Sequence, residues 1–151
     1  MAGNFIEAKF KSDIDEGLAK FAANIQDGIV MSGAAAMAKV LYEEAQTRCP
    51  VSTEAHYFYG SNSKKSGVKY LFLPGTLKKS IYRAYSPEKS SQTTKTYRIS
   101  WNHSDAPYGY MVEFGTSNAP AHPFLRPAFS AVNEAIAAGK ARMAEKLAVT
   151  S

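Results

Sequence analysis

The chain is short of cysteine, of acids through its middle and of long apolar runs, and each shortage closes off a class of function. Its single cysteine, Cys49, excludes an internal disulfide and any site built on several thiolates. A lone thiol of this kind is expected to pack as a small buried side chain at a helix end. No apolar run approaches the roughly 18 residues of a membrane span. The first eleven residues alternate polar and apolar types without the apolar core of a secretory signal, so a soluble protein made in a cytoplasm is expected, with no membrane partner. A glycine-rich phosphate cradle is missing. His56, His103 and His122 are scattered, without cysteine or carboxylate partners at ligand spacing, so neither a metal nor a cofactor is expected. His103-Ser104-Asp105 unites the residue types of a hydrolytic triad, but three consecutive residues do not converge into a nucleophile, base and orienter. Asn102, Ser104 and Asp105 read as turn formers, no catalytic residue is assigned, and an enzyme is not expected.

What is present is the composition of one globular domain spanning 1–151, with 45% hydrophobic and 21% charged residues. The net charge of +5 is uneven. Residues 1–50 carry 5 Lys/Arg against 7 Asp/Glu, residues 51–100 carry 9 against 2, and residues 101–151 carry 4 against 4. The excess is a middle block of Lys64, Lys65, Lys69, Lys78, Lys79, Arg83, Lys89, Lys95 and Arg98. Such a field attracts phosphates or an acidic protein surface in a salt-sensitive way. Equally, it describes solvated strand faces that resist edge-to-edge pairing.

Along the chain the hydrophobic period changes twice. Ile14, Leu18, Phe21, Ile25 and Ile29 form one helical stripe, with Ser12 as the N-cap and Asp13, Asp15 and Glu16 favoured by the helix dipole. The small run Ser32-Gly33-Ala34-Ala35-Ala36 lets another backbone approach, from this subunit or a neighbour, before Met37, Val40 and Leu41 resume the stripe and Pro50 ends it. A helix over about 13–48 is expected. Residues 54–74 hold two short apolar runs around a Ser/Asn/Lys/Gly turn, an irregular hairpin or arm whose aromatics suit docking to a partner, or stacking of bases. Such an arm is expected to be mobile until a neighbour orders it. Three antiparallel strands are then predicted at Leu77–Tyr85, Thr94–Trp101 and Tyr108–Phe114, and a last helix over about 127–148 carries Phe129, Val132, Ile136, Met143 and Leu147. The fold expected is α+β, with long N-terminal and C-terminal helices packed on an antiparallel sheet of three or more strands.

The most informative stretch is Tyr108-Gly109-Tyr110-Met111-Val112-Glu113-Phe114-Gly115-Thr116, followed by Ala119-Pro120-Ala121-His122-Pro123-Phe124-Leu125-Arg126-Pro127-Ala128-Phe129. Pro120, Pro123 and Pro127 stiffen the crossover, which suits packing or docking. Glu113 is the only acid of its segment, to be paired with Arg83, Arg98 or a neighbouring subunit. Phe124 is expected to fill a pocket, at an interface or in the subunit's own core, and Arg126 to bond a carboxylate or carbonyls.

This stretch resembles the signature of the tail-completion (neck) proteins of long-tailed bacteriophages: an aromatic segment ending in Val-Glu-Phe-Gly-Thr, then Pro-x-x-Pro-Phe-Leu/Met-Arg-Pro-Ala-Phe before a C-terminal helix. A second family run, Pro-Val-x-Thr-Gly-x-Leu-x-x-Ser-Ile, is split here into Pro50-Val51-Ser52-Thr53 and Gly75-Thr76-Leu77-Lys78-Lys79-Ser80-Ile81, which implies an insertion at 54–74. The resemblance implies a virion structural protein at the head–tail junction that completes the tail and helps join it to the DNA-filled head. It implies a ring, with a hexamer the expected form. Its neighbours would be other neck and tail proteins (a tail terminator, a head-closure stopper or the tail tube), with DNA in the channel within reach. Interface residues are placed on the motif at Tyr108, Glu113, Phe114, Gly115, Thr116, Pro123, Phe124, Arg126, Pro127 and Phe129. Two alternatives stand beside it: a tail-terminator ring protein, and, in a different class, a small basic nucleic-acid-binding domain using the 64–98 block.

Overall fold

The computed structural model describes residues 4–59 and 63–150, with side chains placed for 16–59 and 65–150. A 45-residue helix α1 (Asn4–Arg48) is the spine, longer at its start than the sequence period suggests, so Ser12 lies inside the helix and does not cap it. The side chains of Ser12, Asp13, Ile14 and Asp15 lie outside the described residues. Helix α1 packs antiparallel against α6 (Val132–Thr150), which follows α5 (Leu125–Ala128) through a 3₁₀ turn at Phe129–Ala131. Small side chains set this crossing. A Cβ on Gly33 would stand 2.5 Å from Met143 Cγ, and one on Gly139 would stand 2.5 Å from Met37 Cγ. Each glycine thus receives the methionine of the opposite helix, a reciprocal notch that fixes register as well as distance. Arg142 Nε donates to Ser32 Oγ at 3.2 Å and Arg48 Nη2 to Ser130 Oγ at 3.0 Å along the same seam.

In chain order, two separate hairpins lie between the two long helices, where a single larger sheet was expected. In the first, β1 (His56–Phe58) pairs antiparallel with β2 (Tyr70–Phe72), and α2 (Ser63–Ser66) sits between them; residues 60–62 of the polar turn lie outside the description. Its inner face is docked: His56, Phe58 and Phe72 surround Tyr108 with ring centroids 4.8, 6.3 and 4.9 Å away. The insert therefore packs one half-buried aromatic face within its own subunit. Its outer face, with Tyr57, Tyr59, Leu71 and Leu73, stays exposed.

The second hairpin pairs β3 (Ile81–Tyr85) with β4 (Tyr97–Trp101), with Ile81 opposite Trp101, Arg83 opposite Ile99 and Tyr85 opposite Tyr97. Those six face α1: Arg83 donates to the Ala35 carbonyl at 3.2 Å and Tyr97 donates to Met31 Sδ at 3.8 Å. The core gathers where this sheet meets the crossover, around Cys49, Leu77, Ile81, Trp101, Ala106, Tyr108 and Phe124. Burial pushes the Cys49 thiol up to about 11, against the lowering effect of Lys78, so it is a protonated core side chain at a helix end, as expected.

Two expected strands are corrected. Residues 77–80 begin not as strand but within helix α3 (Thr76–Ser80), entered through Gly75 at φ 81°, a left-handed conformation that favours glycine. Tyr108–Phe114 is helical, α4 (Gly109–Phe114), ended by Gly115 at φ 77° with its N–H donating to the Met111 carbonyl at 2.8 Å. The sheet of three or more strands is consequently replaced by two hairpins of two strands each.

The helix notch gives a paired expectation. Gly139→Leu drives a side chain into Met37 and lowers stability by about 1–3 kcal/mol. Gly28→Ala, on a part of α1 with nothing within 4 Å of the added carbon, raises it by about 0.5–1 kcal/mol. Thermal melts of the two variants, moving in opposite directions, check the crossing; equal melts would contradict it.

Candidate interaction surface

The two halves of the 108–129 motif are joined by one buried carboxylate. Glu113, 1% exposed, projects from α4 to the start of α5. Its Oε2 accepts from the backbone N–H of Phe124 at 2.7 Å and of Leu125 at 3.1 Å, while Oε1 accepts from the backbone N–H of Arg126 at 3.1 Å. Arg126 closes the loop, with Nε donating to Oε1 at 3.2 Å and Nη2 to the Glu113 carbonyl at 3.1 Å. The first amides of a helix have no intrahelical partner, and a carboxylate placed on them satisfies both their hydrogen bonds and the helix dipole. Burial pushes the Glu113 carboxyl up, but the amides of Phe124, Leu125 and Arg126 and the Arg126 side chain outweigh it. The net position is below the ordinary carboxylate value of 4.5.

The segment between the halves is folded back tightly. A Cβ on Gly115 would lie 2.8 Å from the Ala121 nitrogen, so both its backbone conformation and its space require glycine. Thr116 N–H donates to the Ala119 carbonyl at 2.9 Å, and Thr116 Oγ1 accepts from Ala119 N–H at 3.0 Å. His122 N–H donates to the Val112 carbonyl at 2.8 Å. The crossover ends with Phe124 fully buried, its ring 5.8 Å from Trp101.

The clamp divides the motif into an inside and an outside. Tyr108, Glu113 and Phe124 are buried, with Gly115, Pro123 and Pro127 half-buried, so Phe124 fills its own subunit's core and not a neighbour's pocket. Glu113 pairs with Arg126, a correction to the expected Arg83, Arg98 or neighbouring subunit. Outside, the Arg126 guanidinium stacks over Phe114 at 4.7 Å and Phe114 meets Tyr110 at 4.6 Å. Tyr110, Met111, Phe114 and, at 67% exposure, Phe129 are open to solvent. Thr116 is exposed on the rim. Tyr110 and Met111 went unnoticed as surface residues because a strand reading put Tyr110 on the face of Tyr108; the i, i+4 spacing of Tyr108 and Val112 was the available sign of a helix.

The basic block does not come together as one patch. Lys95, deeply buried along its side chain, is paired with Asp27 of α1, and that hydrogen bond holds its ammonium above the ordinary value. Arg83 lies toward α1, near Tyr42. Lys65, Lys69, Lys78, Lys79 and Arg98 are exposed but spread over the arm, α3 and β4, and the side chain of Lys64 is outside the description. The His103 loop is a turn: Asn102 Oδ1 accepts from Ser104 N–H at 3.0 Å and Asn102 Nδ2 donates to Asp105 at 2.8 Å. His56 and His122 both line a cavity of about 260 Å³ beside Tyr108. No group of three or more His, Cys, Asp or Glu able to hold a metal ion occurs among the described residues, and none of the described helices is long and apolar enough to cross a membrane.

The clamp makes stability depend on pH with a definite sign. A carboxyl whose folded pKa is depressed contributes stability that is complete above its unfolded value, near 4.5, and is lost as pH falls through the folded value. Glu113→Gln removes that dependence and leaves amides facing an amide group, costing on the order of 3 kcal/mol at neutral pH. Denaturant midpoints from pH 7 to pH 2 check this: the acid limb should be steeper in the wild type, and parallel curves would contradict it.

Compared with known proteins, the chain matches no protein-family model, no curated protein and no solved structure.

Proposed function

We propose that the protein is a structural component of a bacteriophage virion, a tail-completion protein at the head–tail junction that acts by assembling as a ring and presenting interfaces. The observation that carries this reading is the Glu113–Arg126 clamp. The two halves of the motif, separated by a crossover of glycine and prolines, meet at one carboxylate and hold Tyr110, Phe114, Arg126 and Phe129 outward. Exposed aromatics and an arginine on a rigid support are the residue types that dominate protein interfaces. The supported chemistry is therefore contact between proteins: other copies of this chain, and the neck and tail proteins on either side. Within that class, completion is favoured over a tail terminator by the motif order described above.

The basic residues fit a protein partner better than nucleic acid. A binding surface for single strands needs cations tracking a groove lined with aromatic rings, whereas Lys95 is committed to Asp27 and Arg83 is turned toward α1. The remaining exposed cations lie on four different parts of the fold: the arm, α3, the turn at Pro87–Lys89 and β4. A lysate lacking the protein should contain complete tails and filled heads that stay unjoined, and the purified protein should restore infectious particles when added. Normal infectious particles without the protein would overturn the proposal.

A further inference from the structure

The cavity of about 260 Å³ beside Tyr108 lies where the inserted arm leaves the fold and returns to it. Its walls come from residues 50–52 after α1, from Gly75 and Leu77 at the start of α3, from Tyr108 and Val112 at α4 and from His122 of the crossover; the arm contributes His56. The His56 ring stands edge-on to Tyr108 at 4.8 Å and lies 6.1 Å from Phe72. The backbone N–H of His122 is bonded to the Val112 carbonyl at 2.8 Å, and the Tyr108 oxygen accepts from the backbone N–H of Leu77. An imidazole carries an N–H in both its neutral and its charged form, and Ser52 and Tyr108 add hydroxyls to the same lining. Among the described residues no acid lines the cavity. Glu113, next to Val112, is committed to Arg126 and to the amides of 124–126. Glu54, two residues before His56, is exposed. The neighbouring Cys49 thiol, pushed up to about 11 by burial, carries no charge, and Lys78, next to Leu77, is close enough to act on it.

We infer that this cavity binds a small organic carboxylate, its two oxygens taken by the His56 and His122 imidazoles and its short apolar chain by Val51, Leu77 and Val112. An ionised oxygen in a largely apolar space needs donors from the protein, and bonds to it are about twice as strong as neutral ones. The volume falls below the roughly 300–1,000 Å³ of pockets that hold drug-sized ligands, so the acid is small. A phosphate fits less well: among the described residues neither an arginine nor a glycine-rich run of amides lines the space. The arm supplies one of the two imidazoles, so the insert completes the site, and an occupant bridges arm and crossover.

Butyrate is the probe. In a titration of the full chain at neutral pH and fixed ionic strength, the imidazole resonances of His56 and His122 should shift together and saturate with a Kd on the order of 1 mM. His103, stacked on Trp101 away from the cavity lining, should stay still. Butylamine, similar in size and opposite in charge, should move neither. His56→Phe and His122→Phe each keep a ring and remove the N–H, and each should weaken binding at least about tenfold. If His56→Phe unsettles the arm, His122→Phe on the exposed crossover carries the test. A glutamate capped at both backbone ends identifies the source. Saturation of the same shifts by it assigns the carboxylate to an acidic side chain of a neighbouring protein, and saturation by butyrate alone assigns a free acid. Shifts that never saturate, that appear equally at His103 or that follow butylamine as well overturn the site, as does unweakened binding in folded variants.

Discussion

One carboxylate holds the informative part of this molecule together. Glu113 is buried, and burial by itself pushes its carboxyl up. Three successive amides at the start of α5 and the Arg126 side chain make the ionised form the stable one. Everything nearby depends on that exchange. Phe124 sits against Trp101 because its own N–H is held, and a Cβ on Gly115 would stand 2.8 Å from the Ala121 nitrogen because the crossover must return to α4. Arg126 lies over Phe114 because its guanidinium is anchored from below. A loop with three prolines thereby becomes a fixed support for exposed aromatic rings.

The rest of the fold supplies a frame for that support. The reciprocal Gly33–Met143 and Gly139–Met37 notches bring α1 and α6 close and set their register. The β3–β4 hairpin lies on α1 with its inward residues, and the arm is fastened by rings around Tyr108. Among the described residues, exposed apolar side chains include Tyr110, Phe114 and Phe129, the outer side of the arm, and Leu18 and Phe21 on α1. The last pair stands near the point, roughly residue 25, where α1 outruns its described antiparallel partner. A chain that assembles through different faces needs surfaces of this kind.

How far the sequence revealed this follows from the length of each pattern. The stripes of α1 and α6 repeat over many turns, so both helices were legible, as was the small-residue notch, though not which backbone would enter it. The arm's hairpin was legible from its two apolar runs. Tyr108–Phe114 misled because Tyr-Gly-Tyr-Met-Val-Glu-Phe alternates like a strand over fewer than two helical turns. Tertiary contacts decided it: Tyr108 and Gly109 pack inward, the latter against Trp101, and Glu113 turns to α5 one helical turn later. The partner of Glu113 was hidden for the same reason, since a strand would not have aimed it at Arg126. Nor could charge counting see that Lys95 would be spent on Asp27, 68 residues away in the chain.

The central claim is that the motif's buried half is architecture and its exposed half is contact. It is tested most directly by a high-resolution reconstruction of the head–tail junction containing the assembled protein. The account requires Tyr110, Phe114, Arg126 and Phe129 to be covered by neighbouring protein, with Glu113 still bonded to the amides of 124–126 of its own subunit. Those four side chains facing solvent in the assembled particle, or Glu113 bonded across a subunit boundary, would contradict it.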